Sequence, residues 1–146
     1  DFAETNNLLG RHYFISGHVI HGQKLGRTLG FPTLNLRVAH HRPAVQGIFV
    51  VQVHGLADQA LPGVASIGVR PTVDDSGRVL LETHLFDYQG DAYGKLIQVE
   101  FLEKIRDEEK YIDLPTLTAA IERDAIHAKI YFRNRATSAI SATDRI

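Results

Sequence analysis

The residues best suited to handling an anion lie together between Gly22 and Asn35. Gly22, Gly26 and Gly30 recur at intervals of four, Lys24 and Arg27 stand between them, and Phe31-Pro32-Thr33-Leu34-Asn35 follows. Glycines let backbone amides approach an anion, and the two cations beside them complete a phosphate-cradle composition. The run is not a Walker A loop: from Gly22 to Arg27-Thr28 it is one residue short, and Arg stands where that loop needs Lys. Pro32 also drives Phe31 away from the α region, which blocks a helix from opening there. The same proline favours an extended path, along which Thr33 and Asn35, two positions apart, face one side. A hydroxyl and an amide oxygen side by side beyond a glycine-rich turn suit Mg²⁺ held against nucleotide phosphates, an ion that takes most of its ligands from water and phosphate. The plainer reading of the spacing, and the one it favours by itself, is a glycine-rich hairpin closed by two polar residues.

Two further stretches carry ionisable groups in suggestive places. In Leu80-Leu81-Glu82-Thr83-His84-Leu85-Phe86 a strand would set Glu82 and His84 on one face with Leu80 and Phe86, and partly apolar company suits a general base. A solvated surface glutamate is the plainer alternative. In Ile105-Arg106-Asp107-Glu108-Glu109-Lys110-Tyr111, Arg106 can steer a phosphate or brace an acidic loop and Tyr111 can stack on a planar ring, although a charge run also makes an ordinary solvated connection. Other chemistries lack their residues. The eight histidines form no HExxH pattern and have no cysteine partners, which argues against zinc, and Ser66 lacks the glycine two places earlier that a nucleophile elbow uses.

Positioning such residues requires a scaffold, and the sequence predicts one rich in strands. Tyr13–Ile20, Gly47–His54, Val64–Val69, Leu80–Phe86 and Leu96–Phe101 have strand character. Phe49, Val51 and Val53 oppose Gln52 and His54, and Ile97, Val99 and Phe101 oppose Gln98 and Glu100, so both segments are expected to be half-buried. The turn signals between the runs are short, which suits antiparallel neighbours in a barrel or sandwich. One helix is well marked. Asp113 is its expected N-cap, Pro115 lies in its first turn, and Leu114, Leu117, Ile121, Ala125, Ala128 and Phe132 form the stripe that meets the sheet. Arg133 and Arg135 are expected to end it, favourably placed for the helix dipole.

Composition narrows the function classes. Of 146 residues, 44% are hydrophobic and 23% charged, the range of one globular domain, and the formal net charge of −1 supplies no field to hold a nucleic-acid backbone or an acidic membrane. Apolar runs such as Gly47–Val53 are far shorter than the roughly 18 residues that span a bilayer. With no cysteine there is neither a disulfide framework nor a thiolate metal site, in keeping with a reducing interior, and the cytoplasm is the expected location. Residues 1–8 are expected to be a linker remnant of something longer, 9–135 the domain, and 136–146 a flexible tail.

Taken together, Gly22, Gly26-Arg27, Gly30-Phe31-Pro32-Thr33 and Asn35, followed by Ser66-Ile67-Gly68, Glu82-Thr83-His84, Tyr93-Gly94, Arg106 with Glu108, and Tyr111, resemble the ordered motifs of riboflavin kinases over roughly Leu9 to Phe132. The resemblance implies a mainly β fold, a six-stranded antiparallel Greek-key barrel with a long C-terminal helix. It implies transfer of the ATP γ-phosphate to the riboflavin 5′-hydroxyl with Mg²⁺, giving FMN and ADP. Glu82 would be the catalytic base; Gly22, Arg27, Thr33, Asn35 and Tyr93 would bind the nucleotide; Thr33 and Asn35 would also meet the metal; Arg106 and Tyr111 would belong to a mobile flap over the flavin. Leu34 replaces the small residue common between Thr and Asn, a change that falls on the opposite strand face. Bacterial members usually carry an FMN adenylyltransferase domain ahead of the kinase. Nothing here resembles that domain's His-x-Gly-His motif, so the chain is expected to be a fragment that supplies only the first of the two reactions leading to FAD. Two other classes stay open on residues alone: a flavin-binding barrel without catalysis, which leaves the glycine loop and Thr33 and Asn35 without a task, and an oligonucleotide-binding barrel, which needs a basic groove.

Overall fold

The computed structural model describes residues 13–20, 33–38, 45–70, 78–86, 88, 90–110 and 112–144. Six strands and one helix follow one another in the chain: β1 (Tyr13–Ile20), β2 (Thr33–Val38), β3 (Gly47–His54), β4 (Leu61–Arg70), β5 (Arg78–Leu85), β6 (Leu96–Arg106) and α1 (Leu114–Asp144). The strands close into a barrel in the order β1-β2-β5-β4-β3-β6, and every adjacent pair is antiparallel. Strands β3, β4 and β5 run as consecutive hairpins and β6 returns to lie beside β3, which is a Greek key. The expected bounds of β1 and β3 hold as stated, whereas β4 and β6 run longer and β5 is displaced toward its start. Strand β2 begins directly after Pro32, on the extended path that the proline favours.

Period-two alternation fills the barrel. Phe49, Val51 and Val53 of β3, Leu34 and Leu36 of β2, Leu81 and Leu85 of β5 and Ile97, Val99 and Phe101 of β6 all point inward and are buried. Phe49 and Phe101 meet edge to face with ring centroids 5.2 Å apart, a geometry that adds to the gain from burying their area. Leu34 is therefore a core residue, as its place on the far face from Asn35 requires. Two glycines permit close strand approach near the site described below. A Cβ on Gly63 would run into the backbone carbonyl of His84, and one on Gly47 would lie 2.7 Å from the carbonyl oxygen of Arg106.

Helix α1 starts as expected, with the Thr116 N–H donating to Asp113 Oδ1 at 2.8 Å. It packs outside the barrel, where Ala128, Tyr131 and Phe132 meet Ile48, Val50, Val64 and Leu102, joined by Phe86 and Ile105. That cover corrects one expectation. The outer face of β3 from Ile48 to Val50 is buried under the helix, so only the far end of the strand, at Gln52 and His54, is half-buried. The helical stripe also differs at its edge: Leu114 is 48% exposed, while Ala120 and Asp124 are buried. Beyond Arg135 the helix continues to Asp144, since 136–144 contains neither Gly nor Pro to stop it and a favourable terminal charge is not a stop signal. Among the described residues no helix is long and apolar enough to cross a membrane.

Candidate active site

The inward-facing residues of β2 and β5 determine what faces outward. With Leu34 and Leu36 in the core, Asn35 lies on the outer face; with Leu81, Thr83 and Leu85 inside, so do Glu82 and His84. The register then aligns them. Asn35 is the direct partner of Glu82 across β2 and β5, and Ser66 is the partner of Glu82 across β5 and β4. Amide, carboxylate and hydroxyl thus form one row over three adjacent strands, each side chain about 5 Å from the next at Cβ. Asn35 is 4% exposed and Glu82 and Ser66 are half-buried. One step along the same ladder Thr33 is in register with His84, so the position two before Asn35 neighbours the position two after Glu82.

The connection from β6 to α1 closes over the β4 side of this row. Ser66 Oγ donates to Glu108 Oε1 at 2.7 Å. Arg106, the last residue of β6, forks onto Asp124 of the helix, with Nε to Oδ1 at 3.0 Å and Nη2 to Oδ2 at 2.8 Å, and its Nη1 donates to the Asp107 carbonyl at 3.2 Å. A bidentate guanidinium and carboxylate is the geometry that makes a largely desolvated pair tolerable. Burial pushes the His84 imidazole below its ordinary range, and the nearby Asp124 carboxylate pulls it part of the way back. His84, two positions along β5 from Glu82 and near enough to feel Asp124, therefore stands neutral at pH 7.

Tyr93 sits on the other side of the row. Its turn is tied to β1 by the Gly94 N–H on the Val19 carbonyl (2.9 Å), by the Val19 N–H on the Lys95 carbonyl (2.9 Å) and by a His18 Nδ1 contact with the Gly94 carbonyl (3.1 Å). Val19 pairs with Leu36, next to Asn35, which puts the turn two strand spacings, about 10 Å, from the row. The Tyr93 ring is 54% exposed.

Of the residues expected at the site, the structure brings Asn35 and Glu82 into contact range and aligns the Thr33 position with them. Arg106 is placed at a strand end and braced by the helix, and Tyr93 borders the β1 side. Gly22, Arg27 and Tyr111 lie outside the described residues. Asp124 was not among the expected residues. Its signal was its place between Ile121 and Ala128 on an apolar stripe, where a carboxylate requires a counter-charge. One buried group has no such answer: Thr83 Oγ1, inside the barrel, makes no hydrogen bond among the described residues. Nor do those residues include a cluster of three or more histidine, cysteine or carboxylate side chains arranged to hold a metal.

Known proteins share this sequence and fold. The Flavokinase (riboflavin kinase) family profile matches residues 9–132. The bifunctional riboflavin kinase/FMN adenylyltransferase of Escherichia coli K12 is 46% identical over 132 residues, covering 90% of this chain and 42% of the relative. The Bacillus subtilis protein of the same description is 37% identical over 137 residues, covering 92% of this chain and 43% of the relative. The chain thus spans well under half the length of these curated relatives. Among solved structures, one described as a macrolide-efflux protein from Streptococcus pneumoniae superposes with a TM-score of 0.73 at 33% identity, covering 83% of this chain and 40% of that one. The riboflavin kinase of Trypanosoma brucei superposes with a TM-score of 0.56 at 22% identity, covering 82% of this chain and 79% of that one, and supports the barrel fold. A profile match that takes in all six strands and most of the helix places this chain in the riboflavin kinase family.

Proposed function

We propose that the domain, taken as residues 9–135, transfers the γ-phosphate of ATP to the 5′-hydroxyl of riboflavin, releasing FMN and ADP. The observation that carries this reading is the outward row in which Asn35 and Glu82 are direct partners, a side-chain amide beside a carboxylate. Phosphoryl transfer needs little covalent chemistry from a protein, since positioning and charge neutralisation provide most of the catalysis. Here the acceptor oxygen bonds to the γ-phosphorus as the bond from that phosphorus to the β,γ-bridging oxygen breaks, ADP carries away the electron pair, and Glu82 takes the hydroxyl proton.

Gly22 and Arg27 serve the nucleotide in this scheme, Tyr93 borders it from the β1 side, and Arg106 and Tyr111 serve the flavin. Thr33 and Asn35 suit Mg²⁺ because they offer neutral oxygens, leaving most of the coordination to phosphate and water, and a buried amide at Asn35 fits that donor set. When bound, the ion neutralises charge on the transferring phosphate. The described relatives pair this activity with FMN adenylyltransferase, and we place such a domain in cis in the full protein, with FMN passing on to FAD in the cytoplasm. Incubating the domain with riboflavin, ATP and Mg²⁺ and separating the yellow products tests the reading. FMN appearing in proportion to enzyme and ATP is the expected result; riboflavin recovered unchanged rules it out.

A further inference from the structure

Glu82 divides its surroundings into two sides. Asn35 borders it on the β2 side, toward the residues suited to the nucleotide, and Ser66 borders it on the β4 side. In-line transfer sets the acceptor oxygen across the γ-phosphorus from the leaving group, with the base beside that oxygen, so a nucleotide held from the β2 side leaves the β4 side of Glu82 to the acceptor. What stands there is the connection between β6 and α1, and two of the contacts that hold it bear on the site. Its root is fixed by the Arg106 fork on Asp124, and its middle by the Ser66 hydroxyl on Glu108. The second contact differs from the first in kind. Glu108, Glu109 and Lys110 are all exposed, so the 2.7 Å bond to Ser66 lies in a more solvated setting than the fork on the buried Asp124.

The hydroxyl of Ser66 has a single proton to donate. Given to Glu108, that proton is withheld from Glu82, the neighbour across the strand pair. A carboxylate that accepts a hydrogen bond from an adjacent hydroxyl is a weaker base, because the bond favours its charged form. The Ser66–Glu108 contact therefore does two things at once: it draws the connection against the barrel, and it turns the hydroxyl away from the base.

We propose that Ser66 and Glu108 are positioning residues that set the β6–α1 connection beside Glu82 on the acceptor side, and so govern acceptor affinity more than the rate of transfer. The acceptor half of this inference rests on the function proposed above; the contact itself does not.

Ser66→Ala and Glu108→Ala should each raise KM for riboflavin roughly tenfold, the scale of one lost charge-assisted hydrogen bond, with kcat within about threefold and KM for ATP unchanged. Glu108→Gln keeps an acceptor oxygen and Ser66→Thr keeps the hydroxyl, so both should stay near wild type. That rescue separates a specific contact from general damage to the fold. Trypsin cleavage after Lys110 in the native domain supplies a readout independent of flavin: it should quicken several-fold in the two alanine variants and not in the two conservative ones. Alanine variants with the cleavage rate and riboflavin KM of wild type overturn the proposal, as do Glu108→Gln and Ser66→Thr behaving like alanine. A wild-type domain that makes no FMN sinks the proposed function and the acceptor half with it, while a cleavage difference that persists still establishes the contact.

Discussion

Two glutamates occupy the middle of a strand on the outer face of this barrel, Glu82 on β5 and Glu100 on β6, and their surroundings differ. Glu100 is 8% exposed and closed in by its neighbours on β3, with Gln52 Nε2 donating at 2.6 Å and His54 Nε2 at 2.9 Å from the same carboxylate oxygen. Phe14 of β1 is its direct partner on the other side, and that ring lies 6.1 Å from the His54 ring. Glu82 is half-buried, with an amide on one side and, on the other, a serine whose proton goes to Glu108. A carboxylate ringed by donors from its own sheet holds strands together. The less enclosed Glu82 is the one we propose to receive a proton from a substrate.

The largest effect on stability is expected at the pair that braces the site from behind: Asp124→Ala should cost about 3 kcal/mol in chemical denaturation, because it leaves the Arg106 guanidinium largely desolvated without its partner. Unchanged stability would show that the helix does not brace the site through this pair. Glu100→Ala should cost about 2 kcal/mol by stranding Gln52 and His54, yet leave FMN formation by the surviving folded protein close to wild type. A collapse of turnover there would erase the distinction between the two glutamates.

The row is read from register, and Thr83, the inward neighbour of Glu82, checks it. Since the Thr83 hydroxyl is buried without a partner among the described residues, Thr83→Val should be neutral or stabilise the domain by up to about 1 kcal/mol. A clear loss would mean that the hydroxyl is satisfied and the strand differently placed. The smallest effect concerns His84. Burial lowers its pKa in the folded state below the ordinary 6.5, so the unfolded chain takes up the proton first as pH falls. The stability that His84 contributes as a neutral group is complete above 6.5 and is lost as pH drops through that value toward the folded-state pKa. Between pH 7.5 and 5.5, melting curves should therefore show wild type losing more stability than His84→Asn. Equal losses would place the imidazole in solvent.

Much of this architecture was legible from local pattern. The ends of β1 and β3 follow from where alternation stops, Asp113 from the chemistry of capping, and the start of β2 from a single proline. Pairwise register was not legible, because period two says which face a residue takes and nothing about its partner; that Asn35 meets Glu82, and Glu82 meets Ser66, emerges only on closing the barrel. Burial on the second face of β3 and at Glu100 escaped for a related reason. Polar residues read as solvent-facing until something covers them, and the covering elements are distant in sequence. Asp124 shows the converse, a charge on an apolar stripe whose counter-ion, Arg106, lies on another element. The helix runs past Arg135 to Asp144 because a favourable charge near a helix end does not terminate it.

The most direct measurement is FMN formation by Glu82→Gln alongside Glu100→Gln, each at saturating riboflavin and Mg-ATP, with flavin binding followed separately by fluorescence. The account predicts that Glu82→Gln binds both substrates and turns over roughly 100-fold or more slowly, while Glu100→Gln keeps turnover within a few-fold of wild type. Near-normal turnover in Glu82→Gln would contradict it.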